Sequence, residues 1–272
     1  MKRSILLLLV TAVLAAQTAP EVEITAEPHH HLVFENAQIR AFYVDISPHT
    51  DTLMHWHRHD YIYVMLGASE IVNAVEGKAP VPAKLHEAQA GFVPGGFAHL
   101  VHNLNQPYRN LTIEILQDDK PRQASPHPDA AHPDSTHPNS GKTDSAKSEE
   151  DRGLEVLEGG TKEILFVKDG IRVSEVELQP GGMIPLHHHA GPHFLVAVTD
   201  FDVLSDVTAI DPISASPSGA MSQKAPERKL GKTSTHFMSG QVKWIPGGYS
   251  HTLTNTGKTP AKFVTLEFPP RD

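Results

Sequence analysis

Two stretches of this chain carry the same residues at the same spacings, and that duplication limits the architecture more than any other feature. Ile39-Arg40 starts nine residues before Pro48, which lies seven before His55; Ile171-Arg172, Pro180 and His187 repeat those intervals. Further along, PGGFAHLVHN (94–103) and PGGYSHTLTN (246–255) share Pro, both Gly, His and Asn at the same places. The offset is 132 residues in the first block and 152 in the second. The additional twenty fit a longer loop near 205–233, rich in Ser, Pro and Lys, which is read as a lid. A repeat of this length implies duplication of one folding unit.

Both units read as β. Arg40–Ile46, Tyr61–Leu66, Arg109–Leu116, Arg172–Leu178, Phe194–Val198, Gln241–Ile245 and Lys262–Phe268 are short apolar or alternating runs punctuated by Gly, Pro, Asn and Asp. On two of them, Arg40, Phe42, Val44 and Ile46, and Arg172, Ser174, Val176 and Leu178, share one face at period two. Between the units, residues 117–153 contain no apolar side chain larger than alanine. Such a segment cannot offset its ordering entropy and is read as a disordered linker. The chain thus divides into a leader at 1–16, a first domain at 21–116, the linker, and a second domain at 154–272. The leader pairs Lys2-Arg3 with an apolar run too short to span a bilayer and ends in small residues. It predicts a cleaved secretory signal and a periplasmic or extracellular protein, with no membrane attachment after cleavage.

Composition removes several chemistries. There is no cysteine, so disulfides, thiolate metal sites and cysteine nucleophiles are excluded. A net charge of −9 without a basic run argues against nucleic acid as a partner. Nineteen histidines remain, so any transition-metal chemistry rests on imidazole and carboxylate. In the second unit His187 and His189 point to one side of a strand, with His188 turned away. His193 follows four residues later, and His251 arrives from a distant strand behind a Pro-Gly-Gly turn. In the first unit His55, His57, His59, Tyr61 and Tyr63 share parity, and His99 holds the place of His251. His102 has the opposite parity. His29-His30-His31, His127, His132 and His137 are read as solvated spacer residues.

The pattern resembles the cupin superfamily over roughly 32–116 and 154–268. Unit two matches its second motif at Gly240, Pro246, Gly248, His251 and Asn255, and its first at Gly181, His187 and His189. It departs at His193, where the family has Glu, and at Asp200, where it has Gly. Unit one matches at Pro94, Gly96, His99, Asn103, His55, His57 and Gly67, with Ala88 in place of a leading Gly. Its acidic place is open: strand parity nominates His59, and spacing to Gly67 nominates Asp60 through a bulge. The resemblance implies an all-β bicupin, two tandem jelly-roll barrels each with a metal position inside. It implies Fe, Mn, Ni or Zn held by His187, His189, His193 and His251, and by His55, His57, His59 and His99.

An all-imidazole shell leaves the full charge of a divalent ion facing the pocket and favours a small chelating anion. Two enzymatic readings follow: Fe(II) dioxygenation, or Lewis-acid isomerase or lyase chemistry with His193 carrying the proton. Arg40, Arg172 and Tyr61 are candidate substrate-binding groups, and a homodimer is the candidate assembly. The alternative is a secreted barrel pair that holds a small molecule or metal without turnover.

Overall fold

The computed structural model describes residues 21–116, 153–210 and 230–270. The leader, the linker at 117–152 and the 211–229 part of the expected lid lie outside the described residues. The first unit contains β1 (Val22–Glu23), β2 (His30–Glu35), β3 (Ile39–Ile46), β4 (His55–His57), β5 (Tyr61–Met65), β6 (Ser69–Val75), β7 (Val81–Leu85), β8 (Ala90–Val93), β9 (Phe97–Asn103) and β10 (Tyr108–Ile115). They form two five-stranded sheets, β1-β4-β9-β6-β7 and β2-β3-β10-β5-β8. The second contains β11 (Leu154–Lys168), β12 (Ile171–His189), β13 (His193–Ala197), β14 (Phe201–Ile210), β15 (Gly231–Phe237), β16 (Val242–Ile245), β17 (Tyr249–Asn255) and β18 (Ala261–Glu267). Here β12 runs unbroken where the first unit has β3 and β4, so the two sheets merge into one eight-stranded sheet. The architecture is all-β, two tandem small jelly-roll barrels, and no described helix is long and apolar enough to cross a membrane.

The repeat is visible in three dimensions. β3 and β5 flank β10 as β12 and β13 flank β18, all antiparallel. Asn103 donates to the Ile46 carbonyl at 2.7 Å, and Asn255 to the equivalent Leu178 carbonyl at 2.9 Å. The Pro-Gly-Gly turns clamp the histidine strands. Gly96 N–H donates to the His57 carbonyl at 2.7 Å, and Gly248 N–H to that of His189 at 2.5 Å, both with positive φ.

One sheet of each barrel is buried on both faces. Phe42, Val44 and Ile46 point into the first barrel as their parity predicts, yet Ile39 and Ala41 on the opposite face are also fully buried. They join Ile62, Val64, Leu111 and Ile113 against Val173, Phe194, Val196, Val264 and Leu266 of the second unit in one continuous core. Phe34 of β2 reaches across to Phe194 at 5.3 Å between ring centres and stacks near Trp244. The two barrels therefore share an interior in addition to their own.

Candidate metal centres

Each barrel gathers three imidazoles on its floor. In the second, His187 and His189 close β12 and His251 stands opposite His187 on β17. Their Nε2 atoms lie 2.9, 3.2 and 3.1 Å apart. In the first, His55 and His57 form β4, and His99 faces His55 from β9. His57 Nε2 is 3.2 Å from His55 Nε2 and 3.1 Å from His99 Nε2.

The second ring nitrogen sets the tautomer. His55 Nδ1–H donates to the Leu53 carbonyl and His187 Nδ1–H to the Pro185 carbonyl, each at 2.8 Å. His99 Nδ1 lies 2.7 Å from Asn73 Oδ1, and His251 Nδ1 the same distance from Ser205 Oγ. A carbonyl can only accept, so in His55, His187 and His99 the proton sits on Nδ1 and the Nε2 lone pair faces the barrel. Lone pairs aimed at one point from about 3 Å repel one another. In barrel two, where all three spacings are about 3 Å, a divalent cation about 2.1 Å from each nitrogen would satisfy all three at nearly right angles. The residues present fit such an ion.

Burial keeps these rings neutral. It lowers the His189 pKa to about 2, with further push from His193, His187 and His251. Burial lowers His251 to about 4, helped by His187, and His55 to about 4, helped by His30. His57 and His99 are held well below the ordinary value, chiefly by burial. Neutral imidazole is the form that donates a lone pair.

Neither barrel has a carboxylate where the family places its ligand Glu. Tyr61 and His193, equivalent under the 132-residue offset, fill that position with rings stacked on His57 at 4.3 Å and on His189 at 4.1 Å. Both line their cavities. His193 is not among the converging nitrogens of its barrel. Burial raises the Tyr61 phenol well above its usual range, so it remains a neutral hydroxyl.

No family model matches the chain, and no curated protein matches it. Solved structures do. An oxalate decarboxylase from Lactobacillus farciminis, in a formate complex, is 16% identical with a TM-score of 0.54, over 86% of this chain and 78% of that one. A Bacillus subtilis oxalate decarboxylase, described for its Mn(II) centres, is 15% identical with a TM-score of 0.54, over 87% and 70%. A serine-to-alanine variant of the Bacillus subtilis enzyme gives 15% and 0.55 over the same shares. The fold is that of a bicupin.

Neither of the two residues weighed as a fourth ligand in barrel one joins its cluster of nitrogens. β4 stops at His57, so strand parity fails beyond it, and His59 lies outside the cavity lining. Asp60 Oδ1 accepts from Gly95 N–H at 2.8 Å, which anchors the Pro-Gly-Gly turn. The imidazole that does approach is His30, read from sequence as a spacer. One nitrogen each of His30, His55 and His57 lies within 4.8 Å of the others. No motif on β2 marks His30 in the sequence.

Neither candidate arginine is among the residues that line its barrel's cavity. Arg40 Nε and Nη2 both donate to Glu114 Oε2, at 2.9 and 2.6 Å. Arg172 is half exposed, with Nη1 3.9 Å from Glu267 Oε2. Glu114 and Glu267 hold equivalent places opposite Tyr61 and His193. Glu267 Oε1 is 3.9 Å from His189 Nδ1, so a carboxylate stands behind the ring and not on the ion's side. The repeated Thr-Ile-Glu (112–114) and Thr-Leu-Glu (265–267) is the sequence signal that points to this pair.

The barrels differ in room and charge. The cavity of barrel one is about 90 Å³ and that of barrel two about 290 Å³. His30 pairs with Val44 in register, and Lys162 pairs with the equivalent Val176. Barrel two thus has an ammonium where barrel one has an imidazole. Lys162 lines the larger cavity, with Nζ 3.7 Å from Glu267 Oε1.

Proposed function

We propose that this bicupin is a secreted, divalent-metal-dependent enzyme whose reactive centre is barrel two and whose substrate is a small chelating anion. The carrying observation is the open triad of His187, His189 and His251 at the wall of a cavity of about 290 Å³ that also holds Lys162. That volume admits a small organic acid, whereas about 90 Å³ admits a few waters. The nearly right-angled nitrogen face suits Fe(II), Mn(II) or Ni(II) better than tetrahedral Zn(II). Such an ion, when bound, supplies Lewis-acid polarisation or electron transfer to O₂.

The chain's own residues do the rest. Lys162 offers a positive charge to the second anionic end of the substrate. Glu267 places a carboxylate 3.9 Å behind His189, and Ser205 Oγ, 2.7 Å from His251 Nδ1, holds the orientation of that ring. His193, stacked behind His189, carries a proton to or from the cavity. Phe237, Ile245 and Leu253 give it apolar walls that limit water. The structural neighbours' named substrate class, oxalate with formate bound, supports a small carboxylate as the first candidate.

The test is metal analysis of protein from its native compartment, then assays of oxalate and related chelating acids for CO₂ release and O₂ uptake. Turnover lost in His251→Ala, with metal retained at one ion per chain, is the expected result. Full turnover in that variant overturns the assignment. Intact mass of the exported protein tests the secretory reading: processing near residue 16 is expected, and an uncut leader contradicts it.

A further inference from the structure

The His30 side chain is only 5% exposed, and that of Glu27 is fully buried. His30 Nδ1 lies 2.6 Å from Glu27 Oε2, which also accepts from His29 N–H at 2.8 Å. Glu27 Oε1 accepts from Leu53 N–H at 3.2 Å, and the Leu53 carbonyl in turn orients His55. A single buried carboxylate therefore aligns two imidazoles from two different sheets. With Nδ1 engaged, His30 Nε2 is the nitrogen left for the cluster. Its ring centre is 4.6 Å from that of His55 and 6.1 Å from that of His57.

We propose that His30 is a fourth metal ligand in barrel one, and that Glu27 behind it supplies the negative charge that the imidazole shell lacks. The group of His30, His55 and His57, joined by His99, whose Nε2 lies 3.1 Å from that of His57 but outside that 4.8 Å group, then forms an all-nitrogen site for a borderline first-row divalent ion and against Mg²⁺ or Ca²⁺, with His30 and His99 drawn towards each other when the ion binds. A carboxylate hydrogen-bonded to a ligating imidazole raises its basicity and holds its orientation. The small cavity leaves little room for a substrate beside the ion. Barrel one is accordingly a retention site, filled whether or not anything binds in barrel two. Lys162 in the equivalent place explains the asymmetry: the same strand position attracts an anion in one barrel and completes a cation site in the other.

The test uses the full chain with barrel two disabled by His187→Ala and His251→Ala, so its outcome is independent of the chemistry proposed there. Co(II) is the probe. The proton NMR spectrum of the Co(II)-loaded background should show four exchangeable, hyperfine-shifted ring N–H signals, one per coordinated imidazole. His30→Asn keeps a side-chain N–H donor for Glu27 and removes the ligand. It should lose one signal and weaken Co(II) at least tenfold. Glu27→Gln should weaken it about 10–100-fold while keeping all four signals. Three signals in the background, no Co(II) uptake by the folded background, or an unchanged affinity in His30→Asn each overturns the proposal.

Discussion

At the residue scale, the two centres are built from neutral imidazoles, and in His55, His99, His187 and His251 the outer nitrogen is held by a partner of its own. Neutrality has a consequence for acid stability. The folded pKa values of His55 and His251, about 4, lie below the ordinary 6.5. Between those limits the unfolded chain binds more protons than the folded one, so stability falls as pH drops from 6.5 towards 4 and is independent of these groups above 6.5. Thermal melts of metal-free protein should therefore show Tm decreasing across that interval, with a shallower decrease in His55→Asn. A flat profile contradicts the assigned protonation. Lys162 carries the second expectation at this scale. Lys162→Met should raise the KM or Kd for a carboxylate substrate about 10–100-fold, the worth of one hydrogen bond to a charge, with metal content unchanged. His187, His189, His251, His55, His57 and His99 could be named from spacing, because i and i+2 on a strand must share a side. Glu267 is marked only by the repeat of Thr-Ile-Glu in Thr-Leu-Glu, and His30, Lys162 and Glu27 by no motif at all. The roles of His30 and Lys162 come from cross-strand register, and that of Glu27 from its hydrogen bonds to His30 and Leu53, none of which a local pattern encodes.

At the element scale, the Pro-Gly-Gly turn is what seats the histidine strand. A Cβ on Gly247 would lie 2.2 Å from the Gly191 carbonyl carbon, and one on Gly95 2.3 Å from the His59 carbonyl oxygen. Both contacts are with backbone, so neither can relax by a rotamer change. Gly247→Ala should push β17 away from the end of β12, separate His251 from His187 and reduce metal affinity of barrel two more than tenfold. Barrel one's centre should be unaffected, and metal titration of the variant reads both. Gly77, with open space around its Cβ position, is the control: Ala there meets nothing, although its φ of +71° still costs about 1 kcal/mol. Element identity was legible from alternation and turn residues. The end of β4 was not, since HWHRHDYIY alternates straight through the point where the turn clamp bends the chain and sends Asp60 to the Gly95 amide.

At the scale of the whole molecule, the duplication reads as two domains, and the burial adds a core that the two barrels share. Sequence alternation marks a single buried face per strand, and on β3, β10 and β18 the second face is covered by the other barrel. That coverage is invisible to period two because Ile39, Ala41, Leu111, Val264 and Leu266 fill the alternate positions with apolar residues too. Cooperative unfolding of both barrels follows. The chain offers its own probes, with Trp56 on β4 of barrel one and Trp244 on β16 of barrel two. In variants retaining one tryptophan each, Trp244→Phe and Trp56→Phe, denaturant transitions should coincide. Phe34→Ala removes a partly buried aromatic side chain that touches Phe194 and Trp244 across the interface, and should cost about 1–3 kcal/mol. Because the shared core couples the barrels, that loss should appear equally in the Trp244 signal, although residue 34 belongs to the other half. Transitions that separate, or a Phe34→Ala effect confined to Trp56, would mean that the barrels fold as independent domains joined only by their linker.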